Sequence, residues 1–535
     1  MNRKAPASYS IDAAARGAIL SPWARISGLH SLVPFLALLA ATAMLRLPSF
    51  FFGILNIDET DFLLIARKMF AGGIPYVDAV ETKPPLAYLA YLPGALLGFQ
   101  IWPMRVLGIF WAFATCIVLK KAGELWTGRS DVGWCAALLA LLASCCDLPA
   151  INAELLLNLP AAIALYFFIR AERENRQCDW AWIGVWTGVA TLFKHQAGIL
   201  LVSMVLAQLF RKYSRPANPS TGYAPGMRRA LLIGAGFILP WAAAALLYAR
   251  AGELRAFYEW NIERNLHYVG GGGSEHRWER FAHSFVLCIL AGTALPWVLS
   301  TIESARRGDP IRAGLRLTLW TTWIPVWLGG RFYEHYYQQF VPALALLGAP
   351  LLADLLERWA TLTRTLRAAL AAALLLPPLG LIAVQIWFGF AKKYPSQNPK
   401  VVELAAWISK NSAPSETLFI WGHYSPIYYL AHRDAGTRYL NTSLQMGNFD
   451  PQHLPPDFDL ASHISDRDVS TTLQDLDANR PALVVDTSPA DIHGWSRIPI
   501  SQFPRLADYI HAHYTLVGRP AGADVYRRDS DGAKL

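Results

Sequence analysis

Asn56-Ile57-Asp58-Glu59-Thr60-Asp61, followed after a short amphipathic run by Glu81-Thr82-Lys83-Pro84-Pro85, is a polar island between apolar stretches of the chain. Acidic side chains at the edge of a hydrocarbon layer are costly and are rarely found there without a partner or a task. Whether the flanking stretches cross a membrane therefore decides both the fold and what the island does.

They have the composition to do so. Of 535 residues, 54% are hydrophobic and only 16% charged, against about 45–50% and about 25% in an average soluble domain. The apolar runs begin near residue 32 and stop near 390. They fall at 32–52, 104–121, 132–146, 155–169, 180–193, 197–210, 230–248, 281–300, 315–330, 336–356 and 368–390. The reading is a multi-pass α-helical membrane protein of about eleven transmembrane helices, some shorter than the ~20 residues an upright span needs. Residues 1–31 form a cytoplasmic N-terminal segment, 32–391 the transmembrane domain, with 53–103 as its first outer loop, and 392–535 a soluble periplasmic α/β domain. In that tail, 401–409 is helix-like, 417–421 and 482–485 are strand-like, and 506–512 is again helix-like.

The net charge of +9 does not signal nucleic acid, because the basic residues fall in alternate loops. Lys120, Lys121 and Arg129, then Arg170, Arg173 and Arg176, then Arg306, Arg307, Arg312 and Arg316 mark one side. The acids, histidines and the Gly270–Gly273 run mark the other. Basic loops face the cytoplasm, which puts the N-terminus inside and the tail outside an inner membrane. The sorting holds only if Pro84–Phe99 does not cross. Arg25 before an apolar run, with Ala41-Thr42-Ala43 after it, imitates a signal peptide. The run continues to Phe52, so it reads as an uncleaved anchor. None of the six cysteines lies in the tail, and their spacing matches no metal site.

Asp58 begins a helix whose Phe62, Ile65, Ala66, Met69 and Phe70 share one face, as in a helix lying at the interface. Asp58 as helix cap, with Asp61 in the capping-box position, is the structural reading. Asp58, Glu59 and Asp61 crowd within four positions, however, where a cap needs one acid. The functional reading is that Asp58 is a general base with Glu59 beside it. Lys83, ahead of two prolines, suits a phosphate or a lipid headgroup. Lys194 sits between two weak apolar runs, where a buried lysine costs roughly 2.5–3.5 kcal/mol without a partner; a phosphate or Glu154 would supply one. Arg331, His335 and Tyr336 belong to an aromatic, charged belt at the outer face. Asp61, Glu81, Tyr258, Trp260, Asn261, Arg264 and His267 are further groups able to bind a sugar. His267, His276 and His283 leave a divalent metal ion open, but lack ligand regularity.

In order and common face, these motifs resemble the GT-C membrane glycosyltransferases that use polyprenyl-phosphate sugars. The likeness is to the bacterial branch that includes the lipid A aminoarabinose transferase and the protein mannosyltransferase-like enzymes. Asp58-Glu59-Thr60 matches its acidic triplet, Thr82-Lys83-Pro84 its Glu-Lys-Pro, Ala190-Thr191-Leu192-Phe193-Lys194 its membrane lysine motif, and Arg331 to Pro342 its later aromatic segment. The resemblance implies Asp58 as catalytic base, Lys83, Lys194 and Arg331 at the donor phosphate, and as partners a polyprenyl-phosphate sugar, a periplasmic-face acceptor and membrane lipid, with no nucleic acid. Asp61 stands where the aminoarabinose enzyme has arginine, Thr82 where it has a metal-holding glutamate, and Asn261 where it has histidine. The metal and the identity of the sugar therefore stay open. A transporter or flippase of lipid-linked sugars is the alternative, but such proteins usually show repeated halves, and this chain shows none.

Overall fold

The computed structural model describes residues 28–147, 149–210, 224–266, 276–307, 309–446, 454 and 458–530. Every apolar run becomes helical, but not every one becomes a long helix. Among the described residues, seven helical segments are long and apolar enough to cross a membrane: Leu32–Phe50, Trp102–Thr127, Ala153–Glu174, Gly226–Arg250, Arg277–Ser304, Glu334–Glu357 and Arg364–Gln397. The runs expected at 132–146, 180–193, 197–210 and 315–330 form shorter helices, namely Ser130–Ala143, Gln177–Thr191, Gly198–Leu209 and the broken pair Pro310–Thr321 and Trp323–Gly329. At ~1.5 Å per residue, a helix of about 15 residues covers only about 22 Å of a ~30 Å core. Residues 84–99 make two five-residue helices, Pro85–Leu89 and Leu92–Leu96, which are far too short to cross.

Close helix packing replaces the hydrophobic drive that lipid removes. Gln177–Thr191 meets Ala224–Arg250 backbone to backbone. Gly184 lies against the Ile233 carbonyl, Gly188 against that of Phe237 and Gly236 against that of Ala181, with no room for a Cβ at any of the three.

The first outer loop opens with the helix Ile57–Phe70. Its cap is Asn56 rather than Asp58: the Asn56 Oδ1 accepts the Asp58 N–H at 3.1 Å. The third helical position therefore falls to Glu59, not Asp61. Glu59 turns inward, accepts the Leu55 N–H at 2.9 Å and the Ile151 N–H at 3.0 Å, and forms a two-pronged ion pair with Arg105. Arg105 also donates to the Gly53 carbonyl at 2.8 Å. Glu59 is 0% exposed and Arg105 1%, so the catalytic reading of Glu59 gives way to a structural one. The pair ties the loop to Trp102–Thr127 and to the start of Ala153–Glu174.

The tail folds as an α/β domain on a four-stranded sheet, with β1 Leu418–Trp421, β2 Leu483–Asp486, β3 Tyr514–Gly518 and β4 Asp524–Arg528 in the order β1-β2-β4-β3. β1 and β2 are parallel, and β4 runs antiparallel to both β2 and β3. Both faces of β1 and β2 are covered, so these strands read as continuous apolar runs.

The tail also sits on the first loop. The Val80 N–H donates to the Arg438 carbonyl at 2.9 Å, Arg67 pairs with Asp434 at 3.0 Å, and Thr60 meets Ser425 at 2.7 Å. Between the membrane helices and the tail, Glu59 through Ala66 are all buried. Ile57–Phe70 is thus covered on its polar side too, rather than lying bare at the interface. Removing one partner of a buried ion pair costs about 3–5 kcal/mol. Glu59→Ala should therefore lower the thermal midpoint of the detergent-purified protein sharply and reduce its yield in the membrane, as read by fluorescence-detected size exclusion and a melting scan.

Candidate active site

With the cap supplied by Asn56 and the Arg105 pair by Glu59, the Asp58 carboxylate keeps no helical duty. It is half-buried, and no described residue engages it in a hydrogen bond or ion pair. Burial pushes its pKa up, but the positive charge of Lys83, His335, Lys194 and His423 outweighs burial and holds it below the ordinary carboxylate value. Asp58 is thus an ionised carboxylate in the field of Lys83 and Lys194.

Lys83 is held through its backbone. Its carbonyl accepts from the Tyr76 and Tyr88 hydroxyls, each at 2.7 Å, while Nζ lies 3.3 Å from Glu81 Oε1. Lys194 sits where the chain breaks between the helices Gln177–Thr191 and Gly198–Leu209, with extended backbone. It is buried, pairs with Glu154, and lies 4.4 Å above the Tyr336 ring. The His335 Nε2 is 3.8 Å from the same Glu154 oxygen. Glu154 is fully buried, and its Oε2 has no hydrogen-bond partner among the described residues. Of the partners open to Lys194, a phosphate or an acid such as Glu154, the fold places Glu154 against it.

Lys83 and Lys194 share a cavity of about 300 Å³, lined also by Thr82, His195, Gln196, Asn265 and Tyr336. Its other end is aliphatic, with Ile199, Val202, Ile324 and Leu328. Val202, Ile324 and Leu328 are 45%, 50% and 53% exposed on the helix surface. The cavity thus runs from two ammonium groups to an apolar mouth on the side of the bundle, a shape suited to an anionic headgroup on a hydrocarbon tail. Arg331 is not in its wall.

Asp61 faces the tail. It accepts from the Asn441 Nδ2 at 2.9 Å and bonds the Ser425 hydroxyl. Burial, with Glu81 and Asp58 close by, pushes its pKa up to about 8. Glu81 is occupied by the Thr82 N–H at 2.7 Å, the Thr82 hydroxyl at 2.9 Å and Lys83. Asn261 donates to the Phe257 carbonyl at 2.9 Å and receives the Tyr76 hydroxyl at 3.5 Å. Arg264 is engaged elsewhere than on the lysines. It binds Glu259 at 3.0 Å and Asp468 at 2.7 Å, and lies over the Trp260 ring at 4.6 Å. His267 lies outside the described residues, while His276 is exposed beside Glu279. Among the described residues no three His, Cys, Asp or Glu side chains converge as a metal ion requires, and Glu81 is already engaged.

Sequence reasoning missed Tyr76, Tyr88 and Asn265, as well as the tail residues Ser425 and Asn441. The tyrosines carry a readable signal, since both flank Lys83 inside the first loop. The tail residues carry none, because only folding brings them there.

Asp61 yields a pH prediction. A carboxyl whose pKa is raised in the folded state costs stability once it ionises there. The stability associated with protonated Asp61 is full below pH 4 and is lost as pH rises towards about 8. Asp61→Asn, which keeps an acceptor for Asn441, should flatten that loss and raise the melting temperature relative to the parent at pH 9 but not at pH 4.

Residues 82–251 match the sequence model of the dolichyl-phosphate-mannose-protein mannosyltransferase family. No curated protein matches the chain. Among solved structures, the fold is similar to ArnT from Cupriavidus metallidurans bound to undecaprenyl phosphate, with a TM-score of 0.57 at 15% identity over 94% of this chain and 99% of that one. It is also similar to the archaeal oligosaccharyltransferase AglB from Archaeoglobus fulgidus in complex with an inhibitory peptide and a dolichol-phosphate, with a TM-score of 0.54 at 13% identity over 94% of this chain and 75% of that one. The chain therefore shares the overall fold of these two structures, and in it a mostly helical membrane domain is followed by a small α/β domain.

Proposed function

We propose that the protein is an inverting glycosyltransferase of the bacterial inner membrane that moves a sugar from a polyprenyl-phosphate carrier to an acceptor at the periplasmic face. The observation that carries this reading is the cavity with Lys83 and Lys194 at one end and lipid-exposed Val202, Ile324 and Leu328 at the other. A phosphate on an isoprenoid chain satisfies both ends, whereas a soluble nucleotide sugar would leave the aliphatic end bare. The structural relatives agree in kind, since one holds undecaprenyl phosphate and the other a dolichol-phosphate.

In the proposed reaction an acceptor O–H or N–H gives its proton to the Asp58 carboxylate. The freed lone pair attacks the anomeric carbon from the face opposite the carrier. The bond from that carbon to the carrier oxygen breaks, its electron pair leaves on the phosphate, and the configuration inverts. The depressed pKa of Asp58 means that this base is already ionised at neutral pH. Lys83 and Lys194 neutralise charge building on the departing phosphate, an electrostatic term that commonly dominates catalysis. Glu154 and His335 set the position of Lys194. The N-terminus lies inside and the tail outside, following the basic loops.

The deciding experiment is transfer of label from a pool of radiolabelled polyprenyl-phosphate sugars in membranes. Wild type should transfer, and Asp58→Asn should lose on the order of 100-fold or more in kcat at unchanged melting temperature. Near-full activity in Asp58→Asn would sink the base assignment. Lys83→Ala should weaken undecaprenyl phosphate binding and lower kcat on the order of 100-fold, as read by binding and turnover on the same preparation.

A further inference from the structure

The helix Ser130–Ala143 tightens into the short turn Ser144–Cys146 and stops at Asp147. Opposite it, the helical segment Arg277–Ser304 is interrupted at Ile289–Thr293 by a wider, π-type turn, where Gly292 takes a φ of 137°. Interruptions of this kind are costly in a helix and are commonly kept for a purpose. The two breaks pack against each other. A Cβ on Gly292 would meet the Leu142 carbonyl at 3.0 Å and the Cys145 Cβ at 3.4 Å. In the same contact the Cys146 and Cys288 thiols are hydrogen-bonded to one another. The Cys288 Sγ also lies 3.5 Å from the Thr293 hydroxyl. Both thiols are free, at 4% and 0% exposure.

Their position along the chain matters for their redox state. Cys146 immediately precedes Asp147, in the loop set that carries the acids, so the pair belongs to the outer half of the bundle. Thiols on the outer side of a bacterial inner membrane meet an oxidising compartment. Cys178 is the contrast: it is exposed and follows the basic run Arg170, Arg173 and Arg176, on the side that stays reducing.

The elements that meet at the pair also carry the site. The Asp147 carboxylate accepts from Asn152 Nδ2 at 2.8 Å and from Gln338 Nε2 at 3.3 Å. Asn152 caps the helix that holds Glu154. Ser284, one turn before Cys288, meets the Tyr337 hydroxyl at 2.9 Å. A bond between the two sulfurs would tie together the segments that bear Glu154 and the belt of His335 and Tyr336.

We propose that Cys146 and Cys288 are joined as a disulfide in the assembled protein and that the bond holds the two helix breaks together; the inference rests on the tail-out orientation and not on the transferase reading. Two S–H bonds break and one S–S bond forms. The two protons and two electrons pass to the disulfide of a thiol-oxidising oxidoreductase at the outer face, which leaves as a dithiol. Because both sulfurs are buried once the helices have packed, the bond closes during assembly and is then shielded from reductants. It also restricts the unfolded chain across the long stretch between the two cysteines, an effect that grows with the length of the loop closed.

The test is a thiol count on the full-length protein, made in ordinary bacterial cells and in cells lacking the outer-face thiol oxidase. The membranes are denatured in detergent and alkylated, then reduced and alkylated with a second reagent, and the peptides are mapped by mass spectrometry. In wild type from ordinary cells, two of the six cysteines should take the first reagent only after reduction, and those two should be Cys146 and Cys288. Cys145→Ala should keep the link and Cys288→Ala should lose it. Wild type from the oxidase-deficient cells should carry six thiols and melt several degrees lower, whereas Cys288→Ala should melt alike from both. Six alkylated thiols in wild type from ordinary cells would overturn the proposal, as would a link through Cys145 or any other cysteine. Equal melting of wild type from the two cell types would overturn the holding role.

Discussion

The buried pair between Glu59 and Arg105 is the constraint on which the site depends. It takes the second acid of the triplet out of water and locks it to a transmembrane helix and two backbone N–H groups, while Arg105 also donates to the loop's carbonyl at Gly53. A pair this deep contributes little net stability against apolar isosteres, but it fixes where the helix Ile57–Phe70 starts and how it is rotated. With Glu59 directed inward, helical geometry turns its neighbour Asp58 about 100° away, towards Lys83 and Lys194. One acid serves as anchor so that the adjacent one can stay unanchored.

That division of labour explains what the sequence could and could not reveal. Acids clustered beside lysines at a membrane edge announced a site, and the apolar runs announced its scaffold, because hydrocarbon tolerates few backbone arrangements. The roles within the triplet were not legible. Asn56, Asp58 and Glu59 are all competent caps or bases, and only Arg105, 46 positions away from Glu59, decides among them. Likewise the apolar runs at 132–146, 180–193, 197–210 and 315–330 were legible as helices, but apolarity alone does not show where each helix ends. In the tail, β1 and β2 were visible as apolar runs. β3, mostly exposed, and β4, with Asp524, Arg527 and Arg528, carry no comparable signal.

The tail belongs to the site rather than hanging from it. Ser425 and Asn441 cover Asp61, and His423 contributes to the field at Asp58. Arg438 and Asp434 hold the far end of the loop. The cluster of acids in the first loop is therefore sandwiched between a membrane bundle and a soluble domain, and its low-dielectric surroundings come from both.

The short helices have one more effect. Gly198–Leu209 and Trp323–Gly329 supply the aliphatic mouth of the lysine cavity. Gly198–Leu209 starts one short turn after the chain break at Lys194, so charge and apolar wall follow each other directly along the chain. A hydrocarbon tail lying along that helix would leave its charged end at the break, where the ammonium group stands.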